Sequence, residues 1–471
     1  MKTFRRNAAL SLVLMSVGGC SLIPHYQRPE APVDSAWATP VEKRATGGER
    51  VTWQAFFHDE PLRQLITQAL DNNRDVRVAA LNIEKAQAQY RISRSQTLPS
   101  IDASGSGTAQ RLPGDVAPDG STGTSHQYNA GIGFTAYELD FFGRVDSLKQ
   151  QALESYLSTI EAQRSVRLAL IAQVATAYYQ LQADQQLLAI ARQTLASQQS
   201  SYELVRNSYR MDVATELDLS QAESTVRTAE ASQAQYSRAV EQDKNALVLL
   251  VGKPLSVPLF SAVQLDALNV ESDLAVGIPS DLLTWRPDIL AAEHALKAAN
   301  ANIGAARAAF FPSIQLTAST GSASADLGQL FAGGQGAWTF VPSINLPIFN
   351  YGRNQANLDV AKVQASIEVA NYQKAIQVAF REVSDTLVAR ESLDIQVKAE
   401  SQLVQANARS YRLAESRYQE GVDTYLNALD SQRNLYSAQQ TLVLTKLSRI
   451  NNLVSLYKAL GGGEEVGSSS R

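Results

Sequence analysis

Residues 147–209 have the sequence SLKQQALESYLSTIEAQRSVRLALIAQVATAYYQLQADQQLLAIARQTLASQQSSYELVRNSY. Neither glycine nor proline interrupts them, so they predict one helix of about 95 Å at 1.5 Å per residue. An apolar or aromatic side chain recurs at every seventh residue: Val174, Leu181, Leu188, Leu195, Tyr202 and Tyr209. A period of seven predicts a left-handed coiled coil, and a core helix of a globular domain averages only about 11–12 residues. We therefore expect a helical hairpin much longer than a globular fold needs.

The same pattern occurs again later in the chain. Pro99 recurs as Pro312 at a spacing of 213, and Gly143-Arg144 recurs as Gly352-Arg353 at a spacing of 209. The second seven-residue series has one polar break, at Arg390: Val383, Arg390, Val397, Val404, Tyr411 and Tyr418. A period of this length exceeds the 20–50 residues of solenoid repeats. It indicates one large unit that has been duplicated and fused.

Each unit also contains two segments that alternate between apolar and small or polar residues. The predicted strands cover about 100–108, 127–139, 314–322 and 337–346. In the second of them, one face is expected to carry Tyr128, Ala130, Ile132, Phe134 and Ala136. This alternation is typical of transmembrane β-strands, and a soluble antiparallel sheet with one wet face is the alternative. Four strands cannot close around a lumen, so they form a small open sheet or join strands from other copies in one barrel.

The lengths of the helices predict how they pack. A return helix of about 34 residues follows the long helix of about 63, and a helix of about 23 begins at Asp75. We expect the two shorter helices to stack end to end beside the long one. The expected segments are a signal peptide at 1–19, a lipid-anchored tether at 20–60, a first repeat at 61–251 with its hairpin at 147–250, a linker at 252–285, a second repeat at 286–460 with its hairpin at 357–460, and a flexible tail at 461–471.

The N-terminus has the pattern of a bacterial signal peptide. Positive residues precede a short apolar stretch, Ala8 to Val17, which is too short to span a bilayer. Gly18-Gly19-Cys20 follows and resembles a lipobox, in which Cys20 would carry a diacylglycerol and an N-acyl chain. An ordinary signal peptide with a coincidental cysteine is the alternative. Ser21 after the cysteine favours sorting to the outer membrane, and no later run of 18 apolar residues predicts a transmembrane helix.

Composition and motifs argue against several functions. The net charge is −4, and the chain has no basic tail that would bind nucleic acid. The four histidines, His25, His58, His126 and His294, are scattered without metal-ligand spacing. A phosphate-binding glycine loop with its lysine is also missing from the sequence. We therefore predict a protein that is not an enzyme and that binds no cofactor or metal.

Several motifs resemble those of the TolC-like outer-membrane factors. They are Arg286-Pro287-Asp288-Ile289, Ala308-Ala309-Phe310-Phe311-Pro312-Ser313-Ile314 and Leu456-Tyr457-Lys458-Ala459-Leu460-Gly461-Gly462-Gly463. The start of the mature chain, Cys20-Ser21-Leu22-Ile23-Pro24, and Gln110-Arg111-Leu112-Pro113-Gly114-Asp115 are similar to the lipoprotein branch typified by OprM. The resemblance implies an α+β membrane protein whose homotrimer forms a twelve-stranded outer-membrane β-barrel, continuous with a periplasmic α-helical coiled-coil tube.

The resemblance also implies a function. The chain would be the passive exit channel of a tripartite efflux pump that expels antibiotics, solvents or other small toxic amphipaths from a Gram-negative cell. Its partners would be a periplasmic adaptor, an inner-membrane pump of the resistance-nodulation-division type and outer-membrane lipid. Two alternatives stay open: a duct for protein or peptide secretion with an ATP-driven pump, and a structural coiled-coil lipoprotein of the envelope.

The resemblance assigns roles to residues at and near the two turns between the long helices. The adaptor-docking tips would include Met211, Asp212, Val213, Gly421 and Val422, and the periplasmic gate would include Leu426, Asp430, Asp218 and Tyr418. Gly421 can adopt a positive φ and end its helix. Three copies of Asp430 would form a negative ring that attracts cations. By the resemblance, Asp218 and Tyr418 match residues that link neighbouring helices in the closed channel. The family's archetype forms an ion-pair latch with an arginine near the position of Asp423, and the absence of that arginine puts the latch in question here. A plain turn between two helices is the alternative for the tips, and a solvated helix face is the alternative for Leu426 and Asp430.

Overall fold

The computed structural model describes residues 21–34, 36–37, 51–116, 122–256, 260, 262, 265, 274 and 279–463. The expected signal peptide at 1–19, Cys20 and residues 464–471 of the expected tail lie outside the described residues, as does most of the expected linker at 252–285. No helix in the ranges just given combines the length and the apolar character needed to cross a bilayer.

Long helices dominate the described part of the chain. The α-helices are α1 (Trp53–Phe56), α2 (Glu60–Asn72), α3 (Arg74–Ser95), α4 (Arg144–Arg210), α5 (Glu216–Val251), α6 (Pro279–Trp285), α7 (Pro287–Ala308), α8 (Arg353–Gln419) and α9 (Tyr425–Ala459). The strands are β1 (Asp102–Leu112), β2 (Gly123–Leu139), β3 (Ser313–Ser324) and β4 (Gly336–Asn345). The helices α4 and α8 have 67 residues each. This is slightly longer than the helices predicted from the stretches without glycine and proline.

The chain divides into two compact units. The first contains the described residues of Met1–Glu30, Asn82–Ile160 and Ala291–Tyr372, which include all four strands. The second contains those of Ala31–Leu81, Glu161–Leu290 and Gln373–Arg471, which include both turns between long helices. Each unit is described separately below.

The first unit holds one antiparallel sheet with the strand order β1-β2-β3-β4. The pairing of β2 with β3 shifts between Phe134 and Tyr137, and Ala136 has a φ of 54°. This β-bulge corrects the predicted alternation, because an extra residue in one strand moves the following side chains to the other face. Ala136 therefore does not continue the series that begins at Tyr128.

The sheet has few buried side chains in a single copy. Every residue of β4 is exposed, and all but the last residue of β1 are exposed. Large apolar side chains are among them, including Trp338 and Phe340. An apolar surface of this kind is unusual on a monomer in water but suits strands that face lipid or another copy.

An extended N-terminal segment packs along α7 in the first unit. Arg28 Nη2 donates to Glu293 Oε2 at 2.8 Å, and Asn300 Nδ2 donates to the carbonyl oxygen of Pro24 at 2.8 Å. A Cβ atom at Gly304 would lie 2.9 Å from the backbone nitrogen of Ile23. Only glycine therefore lets the segment approach the helix this closely.

The second unit shows how the shorter helices meet. Asn73 accepts hydrogen bonds from the first turn of α3 and donates through Nδ2 to the carbonyl oxygen of Leu250, at the end of α5, at 2.8 Å. At the corresponding place in the second repeat, Arg286 Nη1 donates to the carbonyl oxygen of Ala459, at the end of α9, at 3.0 Å. In both repeats, the start of one shorter helix thus meets the end of the other, as the end-to-end prediction requires.

Arg286 also explains one of the sequence motifs. Its buried guanidinium forms ion pairs with Asp288 and Glu382, each at 2.7 Å. A buried guanidinium needs such partners because its desolvation is otherwise unfavourable. Arg286, which directly precedes α7, thus ties the start of that helix to the end of α9 through the carbonyl of Ala459 and to α8 through Glu382.

Candidate functional site

The first turn between long helices covers residues 211–215 of the second unit. Val213 N donates to the carbonyl oxygen of Ser208 at 2.9 Å, and Asp212 N donates to that of Tyr209 at 3.0 Å. This pair of hydrogen bonds is a Schellman motif, whose C′ residue adopts the left-handed conformation. Asp212 occupies that position with a φ of 57°, which aspartate tolerates better than most residues.

A capping box then starts the return helix α5. Asp218 N donates to Thr215 Oγ1 at 3.2 Å, while Thr215 N donates to the Asp218 carboxylate at 2.9 Å. The hydrogen bonds from Thr215 lower the pKa of Asp218. Asp218 was predicted to link neighbouring helices of a closed gate, and here its carboxylate caps its own helix.

The second turn, residues 420–424, has the same backbone. Val422 N donates to the carbonyl oxygen of Arg417 at 2.9 Å, and Gly421 N donates to that of Tyr418 at 3.0 Å. Gly421 has a φ of 70°, which confirms the positive φ expected from the sequence. The two turns therefore end their helices through the same Schellman motif.

Side chains around the second turn differ from those around the first. Asp423 accepts from Arg417 Nε at 3.2 Å, from Asn427 Nδ2 at 2.5 Å and from the backbone N–H of Thr424 at 2.9 Å. The hydrogen bonds from Asn427, Thr424 and Arg417 lower the pKa of Asp423. The acid that replaces the archetype's arginine thus fastens the turn to both of its own helices.

Apolar side chains project from both turns. Val213 is 78% exposed and Val422 is 61% exposed, and Met211 is exposed beside them. Single exposed apolar residues are common, but here they lie at corresponding places on two turns with the same backbone hydrogen bonds. The turns therefore present small apolar contacts on a fixed backbone.

An apolar cluster behind the turns joins the two hairpins. Its buried members are Val205, Ala222, Tyr425 and Leu429, and Tyr202, Ala214, Leu219 and Tyr418 pack against them. Burial and the nearby charge of Asp218 raise the pKa of Tyr418. The structure thus brings Asp218 and Tyr418 close together, with Tyr418 acting as a packing residue in a single copy.

Leu426 and Asp430 are both exposed on α9, one helical turn apart. Arg433 Nη1 lies 3.7 Å from Asp430 Oδ1. In the predicted negative ring, each carboxylate would therefore have a positive charge beside it, which would weaken the field of the ring. Sequence reasoning missed Arg433, although its spacing of three residues from Asp430 is that of helical ion pairs.

Deeper in the second unit, a buried polar network connects all four long helices. We call it the polar clamp: Ser197 and Gln198 of α4, Thr225 of α5, Tyr411 of α8 and Gln432 of α9. Gln198 Nε2 donates to Gln432 Oε1 at 2.6 Å, and Thr225 Oγ1 donates to Gln198 Oε1 at 2.7 Å. Gln432 Nε2 donates in turn to Ser197 Oγ at 2.9 Å. Buried amides need such partners, so the clamp fixes how far one hairpin can slide along the other.

Two carboxyl groups meet between α4 and α5. Asp184 is buried and accepts from Gln180 Nε2 at 2.9 Å. Burial, followed by a hydrogen bond to Asp184 and its charge, raises the pKa of Asp243 to about 7. Oδ2 of Asp243 is buried and has no donor among the described residues, so a proton shared with Asp184 would satisfy it. Within the same ranges, no group of three or more His, Cys, Asp or Glu side chains could hold a metal ion.

Comparison with known proteins identifies the family. Residues 65–253 and 278–462 match the family described as outer membrane efflux protein. The toluene efflux pump outer membrane protein TtgC of Pseudomonas putida is 51% identical over 470 residues, which covers 98% of this chain and 97% of TtgC. The outer membrane protein OprJ of Pseudomonas aeruginosa is 41% identical over 459 residues, with 97% and 96% covered.

Solved structures agree with this match. A membrane protein from Pseudomonas aeruginosa aligns with a TM-score of 0.90 and 42% identity, covering 96% of this chain and 99% of that one. The open state of the MtrE outer membrane channel of Neisseria gonorrhoeae aligns with a TM-score of 0.85 and 40% identity, covering 94% and 98%. Both matches confirm the predicted fold of four strands and long helices in two repeats. The chain belongs to the outer membrane efflux protein family, and it is a non-enzymatic outer-membrane channel of an efflux pump, with a TolC-like fold and a periplasmic helical portion.

Proposed function

We propose that this channel is the passive exit duct of a tripartite pump that expels solvents, antibiotics and other small toxic amphipaths. The relatives are named for such cargo, toluene for TtgC and antibiotics for ArpC, both of Pseudomonas putida. The observation that carries the proposal is the four-stranded sheet of the first unit, which has two open edges and exposed apolar residues. Such a sheet can lie in lipid only after its edges are paired.

Pairing of the edges requires other copies of the chain. Three copies would supply twelve strands, enough to surround a lumen, whereas one copy supplies four. The functional form in this proposal is therefore a homotrimer with one closed barrel and one helical tube. Size measurement of the detergent-solubilised protein tests this, and a monomer that conducts no ions in planar bilayers would refute it.

Lipidation of Cys20 is part of the proposal. The segment that follows Cys20 is held along α7, where Arg307 Nη1 donates to the carbonyl oxygen of Leu22 at 3.2 Å. An acyl chain on Cys20 would strengthen membrane binding by about 0.8 kcal/mol for each CH₂ group that it buries in the membrane. Mass spectrometry of the mature N-terminus should detect a diacylglycerol and an N-acyl chain, and neither should appear in a Cys20→Ser variant.

The two turns are the proposed docking sites for a periplasmic adaptor, which connects the channel to a proton-driven inner-membrane pump. Met211, Asp212 and Val213 at one turn, and Gly421 and Val422 at the other, would contact adaptor hairpins. Their support is the exposure of Val213 and Val422 on turns with fixed backbone hydrogen bonds. The contacts would be apolar and small, as suits a complex that must assemble reversibly.

A susceptibility assay tests the docking proposal. The chain is expressed with a cognate adaptor and pump in a strain that lacks its own channel, and growth is measured with toluene and with antibiotics. The double variant Val213→Glu, Val422→Glu should abolish resistance, because charges at the turns would be desolvated in the complex. The matched control, Val213→Ile with Val422→Ile, should keep resistance. Equal resistance in both double variants would place docking elsewhere.

Leu426 and Asp430 are proposed to line the narrow periplasmic end of the duct, with Asp218 and Tyr418 supporting the closed state. Asp430→Ala should raise single-channel conductance and weaken block by divalent cations. Arg433→Ala should instead strengthen that block, because it unmasks the carboxylate. If neither variant changes conductance or block, these residues do not form the gate.

A further inference from the structure

Among the residues that the structure describes, the strands at the two edges of the sheet have no partner on their outer sides. The strand order is β1-β2-β3-β4, so β1 and β4 are the edge strands. Both are exposed along almost their whole length. An edge of free N–H and C=O groups is a template for another strand.

The internal repeat relates the strand pairs of the sheet to one another. Adding 213 to the β1 residue and 210 to the β2 residue converts pairs of the first hairpin into pairs of the second. Asp102 opposite Gly133, for example, becomes Gln315 opposite Ser343. The repeat is therefore present in the backbone pairing as well as in the sequence.

The junction between the repeats, β2 with β3, contains the bulge at Ala136. The spacing between repeats is 210 before the bulge and 209 after it, where Gly143 corresponds to Gly352. One residue is thus missing from the β4 region, and the missing residue corresponds in position to the bulge. In the second repeat, the region of β4 therefore lacks the extra residue that forms the bulge in β2.

We propose that β4 pairs antiparallel with β1 of the next copy in the register that the repeat dictates, and that this seam lacks the bulge. The proposal rests on the trimer of the proposed function and deepens it. In β2 and β3, Gly131 lies opposite Gly321. Adding 210 to the first number and subtracting 213 from the second places Val341 opposite Thr108 of the next copy. Beyond the bulge position the first spacing is 209 instead of 210. The β2–β3 pairs there place Pro347 opposite Asp102 and Ile348 opposite Ile101 of the next copy.

Exposed apolar residues support this register. Ile101 is 74% exposed and Ile348 is 92% exposed in the single copy. The register sets them directly opposite each other, and apolar cross-strand pairs stabilise a sheet. A shift by one residue would turn one of the two to the opposite face.

The hydrogen-bond pattern of β4 identifies the residues whose Cα atoms would lie closest to β1 of the next copy. Ala323 N donates to the carbonyl oxygen of Gln335 at 3.0 Å, so odd-numbered residues before and in β4 direct their N–H groups towards β3. Even-numbered residues direct theirs to the open edge, where Pro342 has none to offer. Val341 and Thr108 of the next copy would therefore form a non-hydrogen-bonded pair, whose Cα atoms lie about 4.5 Å apart. That distance suits a disulfide.

Cysteine cross-linking tests the register. The natural chain has one cysteine, the proposed lipid-bearing Cys20, so engineered pairs report without other free thiols. Oxidation of a Val341→Cys, Thr108→Cys variant should convert all subunits into a covalent trimer that survives boiling in detergent. The matched controls, Val341→Cys with Gln110→Cys and Val341→Cys with Ser106→Cys, keep the same face but shift by two residues. They should stay unlinked.

A second pair tests the absence of the bulge. Pro347→Cys should link to Asp102→Cys, whereas a bulged seam would link Pro347→Cys to Ala103→Cys. Size exclusion under reducing conditions shows whether each variant still assembles. Linking of the shifted pairs, or of none in an assembled trimer, would overturn the register and leave the trimer intact. A monomeric natural protein would instead refute the proposed function.

Discussion

The turn at 211–215 and the turn at 420–424 end their helices with the same two backbone hydrogen bonds but stabilise them with different side chains. The first has Asp212 in the left-handed conformation and a capping box between Thr215 and Asp218. The second has Gly421 in that conformation, and Asp423 ties it to Arg417 and Asn427. The duplication has therefore retained the backbone geometry and allowed its side chains to diverge.

The two turns also differ in how many helices their side chains connect. The capping box of the first turn is local to α5, whereas Asp423 contacts both helices of its hairpin. The exposed ion pair with Arg417 adds little by itself, since such pairs contribute about 0–1 kcal/mol. The two turns would thus respond differently to the same kind of substitution.

The largest expected effect comes from the polar clamp, which holds the two hairpins together. Gln432→Ala removes the partner of Gln198 Nε2 and the donor to Ser197 Oγ. A buried polar group left without a partner costs about 1–3 kcal/mol, so the midpoint of thermal unfolding should fall clearly. The exposed Gln364→Ala is the control and should leave it unchanged. A double-mutant cycle with Gln198→Ala that shows no coupling would contradict this role.

Substitution at the left-handed position should act in opposite directions at the two turns. Gly421→Ala introduces a Cβ at a φ of 70°, and no atom of the described residues lies within 4 Å of it, so backbone strain alone should destabilise the turn. The expected cost is about 1–2 kcal/mol. Asp212→Gly removes strain and should be neutral or slightly stabilising. Hydrogen exchange of the turn amides measures both effects, and parallel changes in the two variants would refute the comparison.

Removal of the helix-capping threonines should affect the first turn more. Thr215→Ala breaks the capping box and should destabilise the start of α5 by about 1 kcal/mol. Thr424 makes no side-chain cap hydrogen bond, so Thr424→Ala should have a smaller effect. Exchange rates of the first-turn amides of α5 and α9 provide the measurement. Equal effects would mean that the capping box contributes nothing.

A pH dependence of stability is also predicted, and it arises in the first hairpin. Asp243 has a raised pKa of about 7, so its protonated form stabilises the fold at low pH. That contribution is complete below the unfolded pKa of about 3.9 and is lost as the pH rises through about 7. Asp243→Asn, which copies Asn452 of the second repeat, should flatten stability between pH 4 and pH 7. An unchanged slope in thermal unfolding across this range would exclude the carboxyl pair.

The sequence predicted the long helices and the four strands well, because the signals are local. Absence of glycine and proline over 147–209 and alternation in 127–139 need no knowledge of distant residues. Gly421 was likewise predictable, since glycine favours a positive φ, whereas Asp212 carries no such signal. The bulge at Ala136 was hinted at only by the change in repeat spacing.

The polar clamp could not have been predicted in the same way. Gln198 and Gln432 are 234 residues apart, and glutamine is frequent throughout the long helices, so neither residue was distinctive before the fold was known. The capping contact of Asp218 was unpredictable for a similar reason. Whether a carboxylate caps its own helix or reaches a neighbour depends on the geometry of the turn, which the sequence does not specify.

The nearly unburied sheet of the first unit has a consequence for biogenesis. The second unit buries aromatic residues such as Phe56, Phe57 and Tyr457 against each other, so it can mature in water soon after export. The strands gain no comparable shelter until neighbours and lipid arrive. A newly exported chain would therefore travel through the periplasm with folded helices and immature strands, and its last folding step would coincide with insertion. Periplasmic holdases would be expected to recognise the residues that later become the barrel.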